Sequence, residues 1–401
     1  MKFQSMALLM LTMAMPAMAD QVTVNTQGVS LVLDVENGQP AKYLYFGSRL
    51  DERDKANLSV TANGRMDVYP AYGLNTPAES ALAMRHADGN MSTALVATGY
   101  DSRQEANATV TTIHLKDVVY PVKVDLCYRA YHDVDLIEAW SEITNGEKGT
   151  VTLTTFASAM LPIRKGNVWM SHLSGTWASE GYVNNEHLTP GEFVIRNTDG
   201  TRNSHTDHAE VMFSLDGKGN ENVGRVIGAA LVYGGNYKLK AVTDDTDYHY
   251  FFAGINEENS AYHLKKGETF KTPALALTFS SDGLSGASRN FHKWGRKYVL
   301  AHGSQLRDIL LNSWEGVYFD INQKGMDQMM ADIAGMGGEL FVMDDGWFGS
   351  KYQRNTDNSS LGDWVVDTKK LPEGIEGLLR DAKKNGVKFG IWIEPEMTNT
   401  T

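Results

Sequence analysis

The chain has 401 residues, with 49 Asp and Glu against 37 Lys and Arg, a formal net charge of -12 and one cysteine. Such a length exceeds one ordinary core and points to two domains. The acidic balance, with no Lys/Arg run longer than two residues, argues against a nucleic-acid or anionic-membrane surface, and one cysteine rules out an internal disulfide framework or a multi-Cys zinc site.

The first 19 residues have the order of an export signal. Lys2 supplies a positive start, Met6 to Met15 an apolar stretch too short to span a bilayer, and Ala17-Met18-Ala19 a small-x-small cleavage site before Asp20. A periplasmic or secreted protein is expected. From Gln21 to about Phe279 the pattern is period-two alternation: Val22-x-Val24, Leu31-x-Leu33, Thr109 to Ile113, Val151-x-Leu153 and Val226 to Tyr233 read as strands. Asn37-Gly38, Asn63-Gly64, Asn145-Gly146, Asp216-Gly217 and Gly234-Gly235 supply turn chemistry that tolerates positive φ. So many strands predict a large antiparallel sandwich. Cys127, in Val124-Asp125-Leu126-Cys127-Tyr128, reads as buried packing rather than a nucleophile.

The period then changes. Leu284, Ala287, Phe291, Trp294 and Tyr298 form the stripe of an amphipathic helix, read as a linker. Beyond it strands and helices alternate: a strand over 309–319, a helix with Met326, Met329, Met330, Ile333 and Met336 inward, and a strand over 339–343. A second helix with Ile375, Leu378, Leu379 and Ala382 inward and a strand over 387–393 complete the series. Apolar strands separated by helices predict a parallel sheet, in a barrel or an open doubly wound form. The boundaries are a signal peptide over 1–19, a β domain over 20–282, a linker helix over 283–305, and a βα segment over 306–401 that is incomplete at Thr401.

Ligands of such folds lie beyond the carboxyl ends of the parallel strands. Here those ends carry Trp314-Glu315 with Tyr318-Phe319-Asp320, then Asp344-Asp345-Gly346-Trp347-Phe348-Gly349, then Trp392-Ile393-Glu394-Pro395-Glu396, with Leu361-Gly362-Asp363-Trp364 in the polar loop between the last two. Carboxylates among tryptophans suit a sugar, whose hydroxyls donate to acids while its C–H face packs on an indole. Asp344 and Asp345 could instead cap the next helix, and with Glu394 they could hold a hard metal, although a metal would not account for the tryptophans. His205-Thr206-Asp207-His208 lacks a third clear ligand and is assigned no metal. Neither a G-x-x-x-x-G-K-[ST] loop nor a G-x-G-x-x-G turn after a strand is present.

Leu310 to Glu315, Tyr318-Phe319-Asp320, Glu339 to Gly349, Ser360 to Trp364, Lys370-Leu371-Pro372 and Phe389 to Met397 resemble, in order, glycoside hydrolase family 36, the bacterial α-galactosidases. Tyr69 to Gly73, Leu173 to Trp177 and Ser204-His205 extend the resemblance upstream. It implies an N-terminal β-supersandwich followed by the first three β/α units of a (β/α)8 barrel. It also implies retaining hydrolysis of terminal α-linked galactose in oligosaccharides, with no metal or organic cofactor and a homo-oligomeric, tetrameric assembly of the complete protein.

Carried over residue by residue, Asp344 and Asp345 match the acidic pair that binds galactose hydroxyls, and Trp392 matches a tryptophan of the same pocket. Trp314 is placed beside it. Trp177 matches a β-domain residue that reaches an active site, often a neighbour's. The nucleophile of the family lies in a Lys-Trp-Asp motif that this chain lacks, so no catalytic residue is assigned; both catalytic aspartates are expected beyond Thr401, and the chain alone is expected to be inactive. Two other readings remain: a truncated, noncatalytic galactose-binding protein and an α-galactosyl transglycosidase.

Overall fold

The computed structural model describes residues 20–59, 66–73, 79–200, 206–349 and 351–400. The expected signal segment, Asn63-Gly64 and Ser204-His205 lie outside the described residues. The chain divides between Ala301 and His302 into two compact units. It is largely sheet, with several sheets and few helices.

The first unit holds a ten-stranded, a six-stranded and a three-stranded antiparallel sheet among the described residues. Alternation explains most of them: Tyr237–Thr243 buries every second side chain, and Leu239, Ala241 and Tyr237 join one apolar core with Leu31, Leu33, Ile113, Leu153 and Phe213. Leu275–Ser280 departs from alternation, being buried throughout. Its second face is covered by the helix Gly283–Trp294, which packs on this sheet as part of the first unit and passes into a π-helical turn, Gly295–Val299. Gly228 permits that approach, since a Cβ there would stand 2.7 Å from the Phe291 ring.

Gly38 and Gly217 take positive φ, as their turns require, whereas Gly146, Gly234 and Gly235 do not. At Asn145-Gly146 the Asn145 side chain closes the turn instead, accepting from Glu147 N and donating to the carbonyls of Gly149 and Leu264. Cys127 packs with Val110 and Trp140, and burial pushes its thiol up to about 11. Neither its packing nor its titration fits a nucleophile.

Across three neighbouring strands, His114 stands between Asp125 and Asp101, at 2.7 and 2.9 Å from its ring nitrogens. Partial burial alone would lower the imidazole pKa, but hydrogen bonds and charge from both aspartates outweigh it and raise it. A raised folded pKa stabilises the unit below the unfolded value near 6.5, and the contribution fades as pH rises through the folded value. His114→Gln should therefore lower stability at pH 6, by at most about 1 kcal/mol for so exposed a cluster, and much less at pH 9. Equal losses at both pH values in thermal melts would refute the charge-based account.

The second unit is built on three parallel strands, Leu310–Asn312, Leu340–Met343 and Lys388–Ile391, with the middle one central. Two helices, Gln323–Gly335 and Gly374–Asn385, connect them and bury Met326, Met330, Ile333, Leu378 and Ala382 against Phe341 and Met343. Asn322 caps the first by accepting from Gly325 N at 2.8 Å.

Three details differ from the periodicity. Met336 is 74% exposed because it is the C-cap of its helix, and Leu379 is 51% exposed, outside the stripe of Ile375, Leu378 and Ala382. The first strand stops at Asn312, where Ser313 is buried and Trp314–Val317 form a helical turn ending at Tyr318 with φ 47°. Aromatic content made the whole segment look like strand; the turn instead presents its aromatics at the strand's carboxyl end.

Candidate active site at the carboxyl ends of the parallel strands

The middle strand delivers Asp344 and Asp345, which remain only 9% and 5% exposed. Buried carboxylates need partners, and the neighbouring segments provide them. Asn312, at the end of the first strand, donates from Nδ2 to Asp344 Oδ2 at 2.6 Å, while its Oδ1 accepts from Trp314 N at 2.7 Å. One amide thus ties the first tryptophan's backbone to the acid pair. Ser313 Oγ accepts from Asp344 N at 3.0 Å, and Asp344 Oδ1 accepts from Asp345 N at 2.7 Å.

Asp345 is held differently. Arg354, fully buried, places its fork on both carboxylate oxygens: Nε lies 2.9 Å from Oδ1 and Nη2 2.7 Å from Oδ2. Oδ1 also accepts from Gly346 N at 2.6 Å. The guanidinium lies by the rings of Phe319 and Phe348, at 5.4 and 5.8 Å. Its Nη1 donates to Ser359 O and to Asn399 Oδ1, linking the long loop and the segment beyond the third strand to the acid pair.

Gly346 has φ 102°, and a Cβ there would stand 2.9 Å from Phe319 Cα, so the turn beneath the acids needs glycine. Lys370 secures the same turn, its ammonium donating to the carbonyls of Phe319, Gly346 and Arg354. Burial lowers its pKa, against an opposing pull from Asp367, Asp320 and Asp345. Asp367 supports the far side of the loop by accepting from Gln353 Nε2 and Lys369 N.

The aromatic residues form a second layer. Trp347, Phe348 and Trp364 pack together, with Trp364 also meeting Trp392 edge-on at 6.2 Å. Trp347 Nε1 donates to Trp392 O at 3.0 Å. The loop with Leu361 is joined to the third strand's end through Asn399, which bonds both the N–H and the carbonyl of Leu361. Trp314 lies edge-on to Tyr318 and Phe319 at 5.2 and 5.0 Å.

The second unit therefore contains Asp344, Asp345, Trp314 and Trp392, all at strand ends. Trp177 belongs to the first unit, at the turn between the strands Trp169–Thr176 and Ser179–His187, with 81% of its surface exposed. Among the described residues no three His, Cys, Asp or Glu side chains converge as a metal would require. Asn312 and Arg354 were not singled out by sequence. Asn312 is one amide after the apolar Ile309-Leu310-Leu311, and Arg354 is a lone cation in a polar loop, nine positions from its partner and without periodicity.

The model of the glycosyl hydrolase family 36 N-terminal domain matches residues 39–265, and the melibiase model matches residues 269–401. Alpha-galactosidase 1 of Pediococcus pentosaceus is 30% identical over 93% of this chain and 55% of its own length; alpha-galactosidase C of Emericella nidulans is 32% identical over 74% and 40%. This chain thus spans roughly half of the curated relatives it matches. The crystal structure of GH36 α-galactosidase AgaA from Geobacillus stearothermophilus in complex with stachyose overlays 94% of this chain and 56% of its own, at 26% identity and a TM-score of 0.86. The N-terminal-domain model alone accounts for more than half of the residues, and a solved member overlays nearly all of them: the chain belongs to glycosyl hydrolase family 36.

Proposed function

We propose that this chain is part of an α-galactosidase that hydrolyses terminal α-linked galactose from oligosaccharides with retention, and that Asp344 and Asp345 bind the galactose hydroxyls. The observation that carries this reading is the pair itself: two adjacent buried carboxylates at one strand end, held by Asn312 and Arg354 within a tryptophan-rich segment. Fixed anions that accept hydroxyl hydrogens beside indole faces are the chemistry of sugar recognition. Similar solved structures support the substrate class: those of AgaA are complexes with stachyose, raffinose and 1-deoxygalactonojirimycin.

The same geometry argues against these two acids as the catalytic pair. A retaining enzyme needs a nucleophile and an acid/base flanking the scissile bond about 5–5.5 Å apart. Asp344 and Asp345 are consecutive residues at one strand end. The Arg354 fork and Gly346 N also occupy three of the four acceptor sites of Asp345. We assign the catalytic carboxyls to neither.

In this reading the first unit is the β-supersandwich and the second the first three β/α units of a (β/α)8 barrel, with Trp314 and Trp392 lining its pocket. Trp177 serves an active site of a homo-oligomer. A crystal structure of the full-length gene product tests the barrel, the assembly and the three tryptophans together, and a monomer with Trp177 in solvent would remove the last assignment. Export through the first 19 residues is tested by fractionating cells, where retention in the cytoplasm with residues 1–19 intact would overturn it. For the activity, the full-length gene product should release p-nitrophenol from the α-galactoside and not from the α-glucoside, with α-galactose as the first anomer seen by proton NMR. No cleavage of the α-galactoside would defeat the reading; β-galactose appearing first would defeat retention.

A further inference from the structure

We propose that Arg354 is the positioning residue of the galactose subsite: it fixes the rotation of the Asp345 carboxylate so that one acceptor site on that acid points in one direction. The inference rests on the reading of Asp344 and Asp345 as galactose ligands, and follows from counting acceptor sites, two per carboxylate oxygen. Three N–H groups serve the four acceptor sites of Asp345: Gly346 N on Oδ1, Arg354 Nη2 on Oδ2, and a single Arg354 Nε–H shared between Oδ1 at 2.9 Å and Oδ2 at 3.2 Å. Among the described residues, one site remains on Asp345. On Asp344 each oxygen accepts one bond, from Asp345 N and Asn312 Nδ2, and each keeps one site. The two acids thus differ: Asp344 offers two acceptor sites and Asp345 one.

A bidentate guanidinium does what a point charge cannot, since its two parallel bonds lock the carboxylate plane. The fork is itself immobilised by Ser359 O and Asn399 Oδ1 on Nη1 and by the rings of Phe319 and Phe348. Its backbone carbonyl is held by Lys370 Nζ at 3.0 Å. Direction of acceptance is what separates hydroxyl epimers, because a misdirected lone pair leaves a sugar hydroxyl and a buried acid imperfectly matched.

The test uses the full-length gene product and the variants Arg354→Lys and Asn399→Ala. Arg354→Lys keeps the charge and removes the fork. KM for a p-nitrophenyl α-galactoside should rise tenfold or more while kcat changes less than threefold, and Asn399→Ala should raise KM severalfold. A panel of monodeoxy galactosides provides the reading that a merely structural role would not move. In wild type the analogue lacking the hydroxyl read by Asp345 pays a penalty in kcat/KM; in Arg354→Lys that penalty should shrink tenfold or more at this one position.

Unchanged KM and unchanged deoxy penalties in Arg354→Lys would overturn the proposal while leaving the α-galactosidase reading intact. If Arg354→Lys does not fold, wild-type KM and penalties in Asn399→Ala would overturn it. Should the wild type cleave no α-galactoside, the functional reading falls by itself. A crystal structure of Arg354→Lys then decides positioning: Asp345 rotated supports it, and Asp345 unmoved overturns it.

Discussion

Asp344→Asn in the full-length gene product should lower kcat/KM for α-galactosides by roughly 10²-fold or more, with the fold intact. The carboxylate keeps one acceptor site on each oxygen after binding Asp345 N and Asn312 Nδ2, and hydrogen bonds to a charged group are worth about 1.5–3 kcal/mol each. Asparagine of the same shape can still accept from Asp345 N, but its amide nitrogen faces the Asn312 amide and accepts nothing. Removing the negative charge also relieves repulsion from Asp345 next to it, so the melting temperature should move little. Steady-state kinetics beside a thermal melt separate the two effects. Kinetics like those of the wild type would remove Asp344 from the sugar site.

Arg354→Met should be the most destabilising single change in the second unit. It strips the cation from a carboxylate that is 95% buried by its 5% exposure and that relies on the fork for its charge balance. Breaking a buried pair by removing one partner costs about 3–5 kcal/mol, because the remaining charge is left without compensation. Ser359 O also loses its Arg354 donor, while Asn399 Oδ1 keeps Leu361 N. Adding Asp345→Asn to Arg354→Met should recover much of the loss, since an amide carries no charge to strand; the double-mutant cycle isolates that coupling. Amide hydrogen exchange along Leu340–Met343 would report it locally. Equal stability of Arg354→Met and wild type would show that Asp345 is not kept as an ion pair.

Local patterns made most of the architecture legible. Val22-x-Val24, Leu31-x-Leu33 and Val151-x-Leu153 alternate because one face of each strand meets a core, and all three lie in observed strands. Met326, Met330, Leu378 and Ala382 are buried at helical spacing for the same reason. The strand-end positions of Asp344, Asp345 and Trp392 were legible because each residue follows directly on its apolar strand in sequence.

Other features depend on groups that meet only in space. The first strand ends at Asn312 because buried Ser313 and the Trp314–Val317 turn claim the residues that composition assigned to strand. Leu275–Ser280 is buried on both faces because a helix covers it. The division between Asp344, open to two donors, and Asp345, locked by Arg354 and Gly346, has no local signature. It arises from one arginine in a polar loop, from Asn312 on a neighbouring strand and from Asn399 past a third, and a hydrogen bond between such segments depends on their distance in the folded chain rather than on their spacing along it.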